Sequence, residues 1–303
     1  MRTLSYYIRY TFFFFLFFQF SVHSAGKNRK KESYEYELAI CTIFQNEAKY
    51  LKEWIEFHRI VGVEHFYLYN NNSTDHYLEV LDAYLKQGIV ELTNWPGKAK
   101  WSWNDTQKNA YKDAIGKTKD KVKWLAIIDS DEFLFSPIEN DLKVFLRNYE
   151  AYPALVVNWQ CYGTSGVKSI PGDMLMIELL VNKAEVDHYD NHYVKSIVRP
   201  KYTIKSKGRI HHFYYKDHKY AVNANYETVK NFRTPSVSID KIRINHYRTR
   251  DEDHFINVKL PRLKHWYETE SRYIFDDHNA VYDDTILKFT EELHRRMGNR
   301  SLS

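Results

Sequence analysis

Two cysteines in 303 residues, Cys41 and Cys161, are too few for a disulfide framework or a four-cysteine zinc site. Glycine numbers only 10, and none falls into a G-x-G-x-x-G or Walker pattern, which argues against a Rossmann cofactor or P-loop phosphate site. No G-x-S-x-G elbow and no H-E-x-x-H helix occurs, so a hydrolase has little support. A surplus of one charge is also lacking. Lys and Arg number 44 against 39 Asp and Glu, a formal +5, and no stretch resembles a module that reads DNA or RNA; no nucleic-acid partner is expected. Aromatic residues, in contrast, are abundant: 7 Trp, 25 Tyr and 18 Phe. With 44% hydrophobic and 27% charged residues, wholesale disorder is excluded.

The N-terminus carries an address or an anchor. Thr11 to Val22 is uncharged and rich in Phe, follows Arg2 and Arg9, and ends near the small residues Ser24 and Ala25. At 1.5 Å per residue it falls short of a ~30 Å hydrocarbon core. Residues 1–24 are therefore expected to be a signal peptide or signal-anchor. That places the chain in the secretory pathway, exported or membrane-attached. Residues 25–37 form a polar linker, 38–297 a single α/β domain, and 298–303 a polar tail.

Leu38 to Phe44 is a continuous apolar run, as expected of a buried parallel strand. Leu51, Trp54, Ile55 and His58 then recur at helical spacing, closed by Gly62. His65–Tyr69, Ile89–Leu92 and Lys123–Ile128 predict three more strands, with helices around Leu78–Leu85 and Thr106–Ile115 between them. Strands alternating with helices predict a doubly wound, mostly parallel sheet flanked by helices. Ligands of such sheets sit beyond the carboxyl ends of the strands. Polar clusters lie there: Asn46-Glu47, Asn70 to Asp75, and Asp129 to Glu132. Asn46 and Asp75, taken singly, are equally well explained as helix caps.

The strongest constellation is Asp129-Ser130-Asp131 after the fourth strand. In an extended stretch alternate residues share a face, so both carboxylates aim at one point. Two hard oxygen ligands beside a substrate diphosphate suit Mg²⁺ or Mn²⁺, which would neutralise a leaving diphosphate. Glu132 is expected to point elsewhere, either to a contact behind the metal ligands or into a buried network with basic partners. A strand over Ala154 to Trp159 leads to a loop with Gly163 and Gly166, where the backbone can approach a ligand closely. There Trp159 and Tyr162 offer a sugar-stacking platform, and Thr164 and Ser165 offer hydroxyls for an acceptor; Trp159 in the core is an equal alternative.

The ordered segments resemble glycosyltransferase family 92, within the GT-A glycosyltransferases. They are Cys41 through Asn46-Glu47; Leu51-Lys52-Glu53-Trp54 with His58 and Gly62; Tyr69 to Asp75; Trp95-Pro96; Gln107; and Trp124 through Asp129-Ser130-Asp131-Glu132-Phe133. Later come Trp159 to Gly166, Lys195 to Pro200, His212, and Asn245 to Arg250. The match spans roughly residues 38–265. The resemblance implies a GT-A-like fold and a metal-dependent, inverting transfer of a hexose, typically galactose, from a UDP-sugar to a glycan acceptor. It further implies nucleotide-side contacts from Asn46, Glu47 and Asp75, and a metal held by Asp129, Asp131 and His246, with His211 and His212 competing for the last role. Lys195, Arg199, Arg248 and Arg250 are candidates for diphosphate or acceptor contacts.

Inverting transfer needs a carboxylate to take the acceptor proton. Glu178, alone in the apolar run Met174–Leu180, is the leading candidate, since a carboxylate there is costly to bury unless paired or used. Asp173 stands beside it, with Asp187 and Asp190 as further alternatives. The family places an acid followed by Arg in this region, where this chain has Glu178-Leu179. Two other functions remain open at this stage: a non-catalytic carbohydrate-binding protein, and a metal-dependent nucleotidyltransferase. Oligomeric state is not readable from the sequence.

Overall fold

Strand β1 (Tyr36–Phe44) shows why its sequence lacks polar alternation: Leu38 and Ile40 face one core layer, while Ala39, Cys41 and Ile43 face the opposite one. The computed structural model describes residues 33–262 and 276–298. The expected signal segment, most of the linker and residues 299–303 lie outside the described residues. Among the described residues no helix is long and apolar enough to cross a membrane, and those from Tyr34 onward form one compact unit.

Helix α1 (Ala48–Ile60) follows β1 and buries Leu51, Trp54, Ile55 and Phe57. The Trp54 indole donates to the carbonyl of Glu132 at 2.8 Å, tying the helix to the acidic turn. Gly62 ends this unit at φ +98°, where a side chain would strike Asp141. β2 (His65–Asn70), α2 (Tyr77–Lys86), β3 (Val90–Asn94), α3 (Trp103–Thr118) and β4 (Val122–Ile127) then alternate as expected. Ser102 and Asp105 begin α3 with a reciprocal capping box.

β5 (Glu132–Phe135), α4 (Leu142–Leu146) and β6 (Ala154–Cys161) come next. The apolar run around Glu178 is not a strand. It winds into a single turn, α5 (Met176–Leu179), whose first N–H groups are taken by the buried Glu53 carboxylate at 3.0 and 3.1 Å. Then follow β7 (Asn182–Lys183), β8 (Val194–Val198), β9 (Thr203–Ser206), β10 (Phe213–Tyr215), β11 (Ala221–Val222), β12 (Thr228–Val229), β13 (Arg243–His246) and α6 (Glu252–His254). A π-helical turn over Phe255–Lys259 continues α6. β14 (Val281–Tyr282) and α7 (Thr290–Met297) complete the described chain.

The main sheet runs β12-β11-β6-β8-β4-β1-β2-β3, with β13 pairing both β5 and β6. β1 is parallel to β2 and β4, and β2 to β3, whereas β8 is antiparallel to β4 and β6. Residues of α1 and α2 pack in one core layer and those of α3 in the other, so helices cover both faces. The expected α/β, doubly wound architecture is therefore present, with a parallel half and a mixed half. Chain order reverses between β1 and β4. Their carboxyl ends flank the crevice where open α/β sheets place ligands.

Candidate active site

A cleft of about 310 Å³ opens at that switch point. Glu47 borders it from the end of β1, Asp129, Ser130 and Asp131 from the end of β4, and His246 from β13. Trp159, Asp190 and Tyr193 form another wall, and Arg209, His211, Arg248, Lys259 and Arg262 also line it. Acids and cations thus share one space at the end of a rigid sheet.

The acidic motif is not an extended stretch. β4 ends at Ile127 and residues 128–131 turn into β5. The turn is closed by the Glu132 N–H on the carbonyl of Asp129 at 3.2 Å and by the Asp129 N–H on the Glu132 carboxylate at 2.9 Å. Asp129 accepts from Lys195 at 2.6 Å and from the Tyr111 hydroxyl at 3.2 Å. Asp131 accepts from Lys259 at 2.6 Å, and its other oxygen lies 3.5 Å from Nε2 of His246. Burial would raise the Asp131 pKa, but Lys259 and then His246 outweigh it and hold the carboxyl well below the usual range. Glu132 is fully buried behind the turn, 3.4 Å from Lys195, and burial pushes its carboxyl up.

His246 is carried to Asp131 by strand register, since it pairs with Glu132 across β5 and with Cys161 across β6. Its ring lies 4.4 Å from that of Trp159, and burial lowers its pKa. Its Nδ1 and the Trp159 indole nitrogen are buried without a hydrogen-bond partner. Neighbouring His211 also faces the cleft, with Nδ1 3.0 Å from the carbonyl of Val194. His212 is buried and is not part of the cleft lining.

Glu47 reaches the cleft already paired, with the buried Arg250 and with Arg262 at 3.1 Å. Asn46 and Asp75 sit on a different surface, beside Thr74 and His76. Asn46 adopts φ +54°, and its side chain accepts from the N–H of Thr74 at 2.7 Å. Asp75 accepts from the N–H of Ala48 at 2.8 Å, capping α1 from a distant loop. Both residues thus do cap and loop work in this structure. Arg199 stands at the far end of β8, because that strand runs antiparallel to β4. It donates to the carbonyl of Glu150 at 2.6 Å and stacks over Tyr202. Lys195, at the other end of β8, reaches Asp129.

Of the four acceptor candidates, only Trp159 borders the cleft. Tyr162 is fully buried, accepting from Arg243 at 3.2 Å. Thr164 is buried and accepts from the N–H of Gly166 at 3.3 Å. Ser165 receives the N–H of Asn182 at 2.8 Å. Gly163 does permit a close approach, but of the Asn279 side chain rather than a ligand.

Neither leading base candidate is at the cleft. Glu178 lies 2.8 Å from Nε2 of His294 on α7, a partnership across the chain that explains an acid among apolar neighbours. Asp173 is exposed and outside the lining. Of the four acids weighed, Asp190 alone faces the cleft. Its carboxylate lies 3.7 Å from Nε2 of His278, and that imidazole, ahead of Arg248, holds its pKa below the ordinary value. Tyr193 and Arg209 were not singled out from sequence. They follow the unpatterned stretches 187–192 and 207–208, and only the folding of β8 and β9 brings them to the cleft.

Three comparisons bear on this geometry. The model of glycosyltransferase family 92 matches residues 34–288. A glycosyltransferase family 92 protein of Arabidopsis thaliana is 28% identical over 207 residues, covering 64% of this chain and 34% of the relative. Another of Oryza sativa subsp. japonica is 30% identical over 186 residues, covering 60% and 30%. The chain spans about a third of the length of these curated relatives. A galactan β-1,4-galactosyltransferase of Arabidopsis thaliana is 23% identical over 134 residues, covering 43% of this chain and 26% of that protein. Among solved structures, TarS of S. aureus matches with a TM-score of 0.39 at 13% identity, covering 85% of this chain and 71% of that one. At that score the likeness carries no argument about chemistry.

Proposed function

This chain belongs to glycosyltransferase family 92, and from that premise we propose that it moves galactose from UDP-galactose to a glycan hydroxyl, with inversion at the anomeric carbon. The observation that carries the proposal is the pairing, across one cleft, of the Asp131–His246 corner with the Asp190 carboxylate. The similarity to a galactan galactosyltransferase supports the choice of sugar.

The donor side is the cation-rich end. Asp131 and His246 offer an oxygen and a nitrogen 3.5 Å apart, close enough to be neighbouring ligands of one ion with bonds near ~2.1 Å. The unpartnered Nδ1 of His246 is open to an outer contact that would orient the ring. These two residues, with Asp129 beside them, would hold Mn²⁺ or Mg²⁺. When bound, the ion neutralises charge that develops on the departing diphosphate. Lys259 and Arg262, beside Asp131 and Glu47, add fixed positive charge at this end.

The acceptor side is Trp159, Tyr193 and Asp190. The Trp159 and Tyr193 rings lie 5.4 Å apart, and an aromatic face suits the apolar face of a sugar ring. Asp190, ionised at neutral pH, takes the proton of the acceptor hydroxyl as that oxygen bonds to the anomeric carbon and UDP leaves. His278 acts as a positioning residue for the carboxylate. Residues 1–24 would deliver the chain to the secretory pathway.

A donor screen across UDP-, GDP- and CMP-sugars with Mn²⁺ present tests the reading. Transfer to a galactan or other glycan with UDP-galactose is expected. Turnover with none of the UDP-sugars would sink it.

A further inference from the structure

Asp190 and His278, which the proposed transfer uses, also belong with His188 to a cluster of metal-ligating groups that the transfer does not call on as such. His188, Asp190 and His278 each offer one ligand atom, and these atoms all lie within 4.8 Å of one another. Among the described residues no other trio of His, Cys, Asp or Glu gathers so tightly. At the acidic turn, the ligand atoms of Asp129, Asp131 and His246 do not all come within that distance of one another.

The trio is held on two tethered segments. Asn191, fully buried, accepts from the N–H of Cys161 at 2.8 Å and donates to the carbonyl of Glu185 at 2.9 Å. That fixes the turn carrying His188 and Asp190 to the end of β6. The carbonyl of His278 accepts from the N–H of Gly163 at 2.8 Å, and Asn279 accepts from the N–H of Ser165 at 2.8 Å. The opposite segment is thereby fastened to the same strand end. The two imidazole rings meet edge to face at 4.8 Å. Burial, then His278, lowers the His188 pKa, which favours the neutral imidazole that metals require. Two imidazoles and one carboxylate suit a borderline-soft cation such as Zn²⁺, whereas Mg²⁺ and Mn²⁺ prefer oxygen-rich sets.

We propose that His188, Asp190 and His278 form a Zn²⁺ site at the rim of the cleft, and that its occupancy withdraws the Asp190 carboxylate from the acceptor and stops transfer. The inhibitory half rests on the assignment of Asp190 as base; the binding half does not.

The test uses the full chain in excess Mg²⁺, titrated with Co²⁺ as a visible probe. Intense d–d bands of a four- or five-coordinate site are expected, abolished by added Zn²⁺ and absent in His188→Asn. Asparagine is chosen because its side chain can still accept the Asp190 N–H, as His188 Nδ1 does at 3.2 Å. Basal transfer by His188→Asn should match the wild type. The Zn²⁺ concentration for half-inhibition should rise about ten-fold or more, since even outer partners of metal ligands are worth that much. Bands that persist in His188→Asn but vanish in Asp131→Asn would place the cation at the acidic turn and overturn the site. Bands lost in His188→Asn with Zn²⁺ inhibition unchanged would overturn the inhibitory role. Loss of transfer in Asp190→Asn without zinc tests the base assignment separately.

Discussion

The Lys195 ammonium lies 2.6 Å from Oδ2 of Asp129, under the floor of the cleft and 3.4 Å from the fully buried Glu132. One buried cation thus serves an acid of the site and an acid of the core. Lys195→Met would leave the Asp129 carboxylate, which that ammonium holds below its ordinary pKa, without its cation. Breaking a buried pair on one side costs about 3–5 kcal/mol, and solvent reaching Asp129 from the cleft would recover part of it. A loss of about 2–3 kcal/mol in urea unfolding at neutral pH is expected. A change within 0.5 kcal/mol, the ordinary range for a surface site, would show that the pair does not hold the turn.

Asp131 sits between Lys259 and His246, so Asn in its place keeps the shape and removes the charge. Asp131→Asn should retain the fold by circular dichroism and lose about 100-fold in turnover, near 3 kcal/mol of barrier. Full turnover by this variant in excess chelator would remove both the ion and Asp131 from the chemistry.

Asp190 and Glu178 separate cleanly as bases. Asp190→Asn should abolish transfer while UDP binding by calorimetry stays within about two-fold, because the group acts on the acceptor and not on the nucleotide. Glu178→Gln should leave transfer intact and weaken only its contact with His294 on α7. The reverse pattern, with transfer lost in Glu178→Gln alone, would return the base to α5.

These contrasts show what the sequence carries and what it hides. β1 and α1 are readable, because a buried parallel strand is continuously apolar and a half-buried helix repeats every three to four residues; the acidic motif is placed after the right strand but read as extended, whereas it turns. Glu178 misled because burial without a local partner was visible, whereas its partner His294 is 116 residues away. Arg199 misled for a related reason: the direction of β8 decides which of its ends meets the cleft, and no local pattern records strand direction. Gly163 is read for close backbone approach, which it makes to Asn279, and Thr164 and Ser165 for their hydroxyls, which accept the N–H groups of Gly166 and Asn182 instead of a ligand. Asp190 lies in a polar stretch without period, so only the fold could lift it above Asp187.

The last prediction concerns His58, which ties α1 to the strand beyond the acidic turn. Its Nε2 accepts the N–H of Leu134 at 3.1 Å, and its Nδ1 lies 2.8 Å from the carbonyl of Trp54. A ring that accepts at Nε2 must carry its proton on Nδ1, so one neutral tautomer satisfies both bonds. Burial drives its pKa down to about 3, against about 6.5 for a free imidazole. Below pH 6.5 the unfolded chain therefore binds a proton that the folded chain refuses. Its contribution is fully present above that pH and is lost as pH falls towards 3, by up to about 1.4 kcal/mol per pH unit. Other buried histidines, such as His211, push the same way, so the decisive quantity is a difference between proteins. Stability of the wild type minus that of His58→Gln should shrink steadily between pH 6.5 and 4.5. Glutamine can offer one donor and one acceptor in roughly the same places but takes up no proton. A difference independent of pH over that window would mean that His58 is charged in the folded protein or already neutral in the unfolded one. Either result would remove it as the acid-labile link between α1 and the strand that follows the acidic turn.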